Sequence, residues 1–278
     1  MDGDYNPFSL EFPTRRAALG LIAALPACAP LPRPLKDRMD RDLHRADPAT
    51  RADTLIVLLP GAYDLPADFV REGFVQAVRA RRLPVDLLLL DAHVGYYTAQ
   101  QIVPRLLDEV VRPARAEGYA RVWLAGISMG GYGALLFAQA HGDRIDGVFT
   151  MAAFLGRRDL PAHIAAAGGL AAWDGQLAGA DAHDLALWRW LQGYGASADG
   201  RAPGHPPLWM GWGEQDRFVM SNRLVGALLP PAQVLSTDGG HQWAPWQRLW
   251  QRFLAARPWD APTPAARPST SFFVADRA

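Results

Sequence analysis

The chain has 278 residues, half of them hydrophobic and 20% charged, and its 28 Lys+Arg balance 28 Asp+Glu to a formal net charge of zero. This is the composition of a packed globular protein, and it excludes the strongly charged surface that gathers nucleic acid or anionic membrane. A single cysteine, Cys28, excludes an intramolecular disulfide and any metal site built on several cysteines.

In chain order, Arg15 and Arg16 precede an apolar, small-residue run over residues 17–25, which ends in Leu25-Pro26-Ala27-Cys28. A basic pair, a short apolar stretch and small residues predict a secretory signal over residues 1–28, too short to remain as a membrane span. Leu-Pro-Ala-Cys resembles a bacterial lipobox, and Thr14-Arg15-Arg16 with Leu19 resembles a twin-arginine signal. These resemblances imply export to the periplasm and lipidation of Cys28; Ala29 after the cysteine favours the outer membrane. Residues 29–53, Pro-rich and then densely charged, read as a tether or surface wrap.

From residue 54 a rhythm begins. Leu55-Ile56-Val57-Leu58-Leu59 is a continuous apolar run ending at Pro60-Gly61, as expected of a strand buried on both faces. Residues 85–90, 122–125, 147–151, 208–212 and 234–236 repeat it. Helical stretches lie between them at 66–80, 99–116 and 130–140, and another follows at 244–256. Strand–helix alternation predicts an α/β domain over residues 54–257, with a mainly parallel sheet of about six strands flanked by helices. The interval 154–205 breaks the rhythm. It is too long for a connection and reads as a helical cap insertion, with a helix over 185–191 that carries Trp188 and Trp190. Residues 258–278 read as a loose tail.

Gly126-Ile127-Ser128-Met129-Gly130 is a G-x-S-x-G sequence placed between a buried strand and a helix. A sharp strand-to-helix turn needs flanking glycines because the central serine is strained and leaves no room for neighbouring Cβ atoms. Its hydroxyl is thereby raised beside a positive helix N-terminus. Serine at its normal pKa needs a base, and the base needs an orienting acid. Of seven histidines only His241, in Asp238-Gly239-Gly240-His241, follows the last predicted strand. The acid is expected at the end of the strand over 208–212, where Asp216 is preferred to Glu214 because it lies further into the loop; Asp174 is the outside candidate. Two N–H groups must meet the oxyanion. Met129 supplies one, and the loop Pro60-Gly61-Ala62-Tyr63-Asp64 supplies the other, Ala62 first and Tyr63 second. Tyr96 and Tyr97 either line an acyl or alcohol pocket or pack at its rim. No H-E-x-x-H or comparable ligand spacing occurs, so no metal and no other cofactor is expected.

The segment Gly126-Ile127-Ser128-Met129-Gly130-Gly131-Tyr132-Gly133-Ala134 resembles the nucleophile segment of the esterase D and enterochelin-esterase group, and is also similar to that of mycolyltransferases. Gly239-Gly240-His241 with Trp243 and Trp246 resembles the histidine segment of the same esterases. The resemblance implies an α/β-hydrolase fold and ester hydrolysis through an acyl-enzyme. The sequence departs from many relatives in carrying Pro60-Gly61 where they carry His-Gly. The expected substrate is a small-molecule or lipid ester. Acyl transfer by the same residues, or a non-catalytic binding protein on the same scaffold, are the competing readings.

Overall fold

The computed structural model describes residues 33–180, 182–195 and 202–261. The predicted leader with Cys28, and the tail beyond residue 261, lie outside the described residues. In chain order the elements are β1 (Arg41–His44), β2 (Thr54–Leu59), α1 (Pro66–Arg71), α2 (Phe74–Ala80), β3 (Val85–Leu90), α3 (Val94–Thr98) and α4 (Ile102–Arg105). A π-helical stretch (Leu106–Val111) leads into α5 (Arg112–Ala116), followed by β4 (Arg121–Ile127), α6 (Met129–His141), β5 (Gly147–Met151), α7 (Leu160–Ala166) and α8 (Ala182–Leu191). The order closes with β6 (Leu208–Gly213), α9 (Val219–Gly226), β7 (Val234–Thr237) and α10 (Trp243–Ala256).

Among the described residues the strands make one seven-stranded sheet in the order β1-β3-β2-β4-β5-β6-β7. Every pairing is parallel except β1 with β3. All residues of β2, β3 and β5 are buried, because helices cover both faces. Alternate side chains of each strand therefore enter different apolar layers. Leu55, Val57 and Leu59 join Val122 and Leu124 on the side of α6, while Ile56 and Leu58 join Trp123, Ala125 and Ile127 on the side of α2 and α10. In the second layer the rings of Phe149 and Phe253 stack at 4.2 Å and 6°.

The sheet has one strand more than the apolar runs predict. Arg41-Asp42-Leu43-His44 lies within the stretch read as tether or wrap, and it pairs as an antiparallel edge, Arg41 opposite Leu90. Its side chains are mostly exposed, so no apolar alternation marks it, and its charges suit an edge that must not recruit another chain. The segment is pinned on both sides of β1. Arg33 makes a two-pronged ion pair with Asp91 at 2.6 and 2.7 Å, and Met39, 2% exposed, donates its N–H to the Glu109 carboxylate at 2.8 Å. The fully buried Asp86 accepts from the N–H groups of Ala46 and Ala52 and from the Tyr119 hydroxyl, which fixes the turn from β1 into β2.

The helix predicted over 66–80 is divided at Gly73, which sits at φ +80°. The one predicted over 99–116 starts at Ile102 and contains the π-helical stretch. Pro113 has no N–H for the Glu109 carbonyl, so the regular ladder must break near it. Arg41 of β1 takes up that carbonyl at 2.6 Å. Within 154–205, Leu160, Ile164, Trp173, Trp188 and Tyr194 belong to the same apolar layer as α6, and Trp188 donates to the Leu155 carbonyl at 3.0 Å. The tryptophans of this segment that are described as buried are packing.

The chain runs from β2 out to β3 and then returns to the opposite side of β2 with β4. Strand order reverses there, and the loops after β2 and β4 part in opposite directions above the carboxyl ends of two hydrogen-bonded strands. That crevice is where an open α/β sheet accepts ligands. The stacked aromatic layer beneath it holds α10 in place. Phe253→Ala is expected to lower stability by about 3–5 kcal/mol, read as a fall in the urea midpoint with unchanged slope.

Candidate active site

Leu59 of β2 lies opposite Gly126 of β4, so the turns that follow these residues start side by side. Ser128 has φ +52° and ψ −111°, a strained conformation for a residue with a side chain, and it stands immediately before the first residue of α6. Three backbone bonds hold it there. Its N–H donates to the Met151 carbonyl at 2.9 Å, and its own carbonyl accepts from Tyr132 and Phe154, each at 3.1 Å. The flanking glycines are required by space. A Cβ on Gly126 would overlap the Gly130 backbone, and a Cβ on Gly130 would overlap the Leu59 carbonyl. The helix thus begins in contact with the end of β2, and Ser128 is 6% exposed at the base of the crevice.

Met129 is the first residue of α6, and its N–H is one of the donors that helical bonding leaves over. Across the crevice, Gly61 to Asp64 form a turn closed by Asp64 N–H to the Gly61 carbonyl at 3.2 Å, with Ala62 and Tyr63 in its centre. A Cβ on Gly61 would lie 3.8 Å from Ser128 Cβ, so this turn and the serine are immediate neighbours. The Tyr63 side chain is 65% exposed and stands at the rim.

His241 Nδ1 is 2.8 Å from Asp216 Oδ2. The Asp216 side chain is wholly buried and that of His241 is 13% exposed. The second Asp216 oxygen accepts from Phe218 N–H at 2.7 Å, which leaves the carboxylate no freedom to turn. Phe218 and Trp246 flank the imidazole edge-on, each 5.1 Å between centroids. The two loops that carry the pair are tied together: Glu214 N–H donates to the Thr237 carbonyl at 2.8 Å and Gln215 N–H to the Gly239 carbonyl at 3.0 Å. Gly213 permits this, since a Cβ there would overlap the Gly239 carbonyl. Glu214, by contrast, points to Arg223, whose guanidinium hydrogen-bonds to it and helps hold its carboxyl below the usual range against the opposing effect of burial. Asp174 is exposed and caps a local turn through Gln176 N–H.

The serine loop and the histidine loop both stand at the carboxyl edge of the sheet. Phe154 bonds to the Ser128 carbonyl and packs on Phe218 at 5.6 Å, and Phe218 packs on His241. Asp64, on the turn beside Ser128, lies within electrostatic reach of His241. No hydrogen bond joins Ser128 Oγ to the imidazole among the described residues; such bonds commonly close only around substrate.

Tyr96 and Tyr97 are 1% and 2% exposed. The Tyr96 ring lies 4.5 Å from that of His93, tilted by 50°, and Tyr97 lies against Gly133 of α6 and stacks on Tyr132. Both belong to the apolar layer on the side of α6. Two residues with a bearing on the site carried no recognised signal. Asn222, fully buried, holds both backbone groups of Ala153 at 3.0 and 3.1 Å and so fixes the chain between Ala152, at φ +51°, and Phe154. Asp64 stands in the loop identified from sequence but was assigned no part there. A carboxylate three residues after Gly61 was the visible clue. No group of acidic, His or Cys side chains suited to a metal occurs among the described residues.

No protein-family model and no curated protein matches the chain. Among solved structures it is similar to an S-formylglutathione hydrolase of Staphylococcus aureus, with a TM-score of 0.53 and 17% identity over 78% of this chain and 89% of that one. It is also similar to Est1E of Butyrivibrio proteoclasticus, with a TM-score of 0.52 and 15% identity over 78% and 93%. A third is a fluorophosphonate-binding serine hydrolase of Staphylococcus aureus, at 0.50 and 18% over 73% and 82%. The chain has the α/β-hydrolase fold.

The tight approach at the serine turn makes it intolerant of a single methyl group. Gly130→Ala is expected to cost about 3 kcal/mol or more, since the obstructing atom is backbone and cannot rotate away. Thermal denaturation of the two proteins side by side measures it.

Proposed function

We propose that the protein is a serine hydrolase that cleaves carboxylic esters through an acyl-enzyme, with Ser128 as nucleophile, His241 as general base and acid, and Asp216 as the group that orients the imidazole. The observation that carries this reading is the coincidence of a strained serine at a helix N-terminus with a nearly buried His–Asp pair on the same edge of the sheet. Two of the similar structures belong to a named hydrolase of a thioester-type substrate and a protein solved with ferulic acid bound, which supports acyl chemistry at such a site.

The chemistry follows from the placement of protons. Asp216 accepts a hydrogen bond from Nδ1–H of His241, which holds the proton on that nitrogen and leaves the lone pair on Nε2. Ser128 Oγ attacks the acyl carbon while its proton passes to Nε2. The carbonyl oxygen becomes an oxyanion that the N–H groups of Met129 and Ala62 are proposed to receive. The imidazolium then gives its proton to the departing alkoxide oxygen as that C–O bond breaks, leaving an ester on Ser128. Water repeats the sequence, transferring its proton to Nε2 as it attacks, and collapse returns a proton to Oγ with release of the acid. The Asp216 charge stabilises the imidazolium at both stages, and burial makes that stabilisation larger than it would be in water. On the strength of the leader sequence, the enzyme is further proposed to be exported and held by a lipid on Cys28 at the outer membrane.

Ser128→Ala is expected to lower kcat/KM for p-nitrophenyl acetate by about 10⁴-fold or more and to abolish labelling by a fluorophosphonate probe. Asp216→Asn is expected to lower it by about 10⁴-fold, and Glu214→Gln by less than about twofold. Undiminished hydrolysis in the serine variant sinks the proposal, and a large loss in the Glu214 variant with none in Asp216 reassigns the acid.

A further inference from the structure

The mechanism leaves one charged group at the site without a task. Asp64 closes the turn beside the serine, and its carboxylate lies against the open face of Gly61, in the space where a Cβ would otherwise stand 3.8 Å from Ser128 Cβ. It is half-buried, and it forms no ion pair among the described residues. The acids and bases around it are otherwise engaged. Asp68 accepts from Leu65 N–H at 2.7 Å and pairs with Arg71, which also bonds to Glu72. His241 is paired with Asp216. Arg217, exposed at the rim, lies over the ring of Phe218 at 4.9 Å. Burial first, and then the Asp68 charge, raises the Asp64 carboxyl above its ordinary range, against the Gly61 N–H, His241 and Arg71. A carboxylate that loses hydration without gaining a cation is costly to the fold. Here it stands on the turn beside the nucleophile.

The surroundings point to what would satisfy it. Phe154 and Phe218, both half-buried, link Ser128 to His241 through ring contacts, while Trp246 and Trp243 on the other side of the imidazole pack into the apolar layer of α2 and α10. Aromatic faces attract cations, most strongly where water is thinned, and Phe218 already carries the Arg217 guanidinium over its ring. A half-buried carboxylate beside the serine, in a site whose serine and histidine are joined by aromatic rings, is the chemistry of ammonium recognition. An anionic substrate would meet repulsion at the same place, and a neutral one would leave the carboxylate desolvated.

We propose that Asp64 is a specificity-determining residue, selecting esters that bear a quaternary or protonated ammonium group close to the scissile carbonyl. The inference rests on the proposed ester hydrolysis at Ser128 and narrows its substrate class.

Two isosteric pairs test it. Acetylcholine against 3,3-dimethylbutyl acetate places the charge in the alcohol, and betaine ethyl ester against ethyl 3,3-dimethylbutanoate places it in the acyl group. For each pair the ratio of kcat/KM, cationic over neutral, is measured in the wild type and in Asp64→Asn, so that the intrinsic reactivities of the esters cancel between the two proteins. In at least one pair the ratio is expected to fall by about tenfold in the variant, and in the wild type to fall as salt is raised. A fall of less than about threefold in both pairs overturns the proposal. Should Asp64→Asn not fold, wild-type inhibition by choline against 3,3-dimethylbutanol decides: equal inhibition at low salt overturns it, and a choline preference lost at high salt supports it. Fluorophosphonate labelling of Ser128 in the same preparations separates the two readings. Labelled protein with unchanged ratios removes only the Asp64 assignment, whereas unlabelled protein that cleaves none of the four esters removes both.

Discussion

The contact between the Leu59 carbonyl and the bare Cα of Gly130 is the constraint on which the site depends. It brings the N-terminus of α6 against the end of β2, and it does so only because neither Gly126 nor Gly130 carries a side chain. Once the helix begins there, Ser128 has to turn through a positive φ to join it to β4, and the hydroxyl is directed away from the strand. The same contact sets the turn at Gly61 beside the serine. Strain at one residue is therefore maintained by close packing at three others, and that packing rests on a sheet whose central strands are buried on both faces.

The histidine side is built differently. Nothing is strained at His241 itself; the ring is positioned by a buried carboxylate, by two edge-on aromatic rings and by backbone bonds between the loops after β6 and β7. Burial of Asp216 would be unfavourable if the imidazole were removed, since only the Phe218 N–H would remain to meet its charge. Stability and chemistry thus favour the same geometry at this pair, while at Ser128 they oppose each other.

Much of this was legible in the sequence, for reasons that can be named. Strands buried on both faces are continuous apolar runs, and β2 to β6 were visible as such, with the half-exposed edge β7 marked by a shorter run. The G-x-S-x-G turn was readable because close backbone approach leaves glycine as the only fit at 126 and 130, and the Gly-Gly-His loop because Gly239 turns through a φ of +108°. Strand β1 was not readable, because its pairing uses backbone alone and its side chains face water. Nor was the π-helical stretch, which depends on Pro113 freeing a carbonyl that a residue 68 positions earlier comes to occupy. Tyr96 and Tyr97 follow a strand's carboxyl end, as site residues often do, yet their rings turn inward to α6 and His93. Sequence position placed them after a strand's carboxyl end, and only the fold gives the direction of their rings. Asn222 was invisible for the same reason: its value lies in which loop it reaches.

The bonds from Glu214 and Gln215 to Thr237 and Gly239 make the acid and the base parts of one clasp, although 25 residues separate them along the chain. Motion of either loop carries the other with it, so the distance within the pair is insulated from what happens in the connection between them. The short stretch after α9, residues 227–233, then becomes a region where length and composition can drift over generations without disturbing proton transfer. Variation among descendants of this chain should accumulate there, on the outer side of a junction that the inner bonds keep shut.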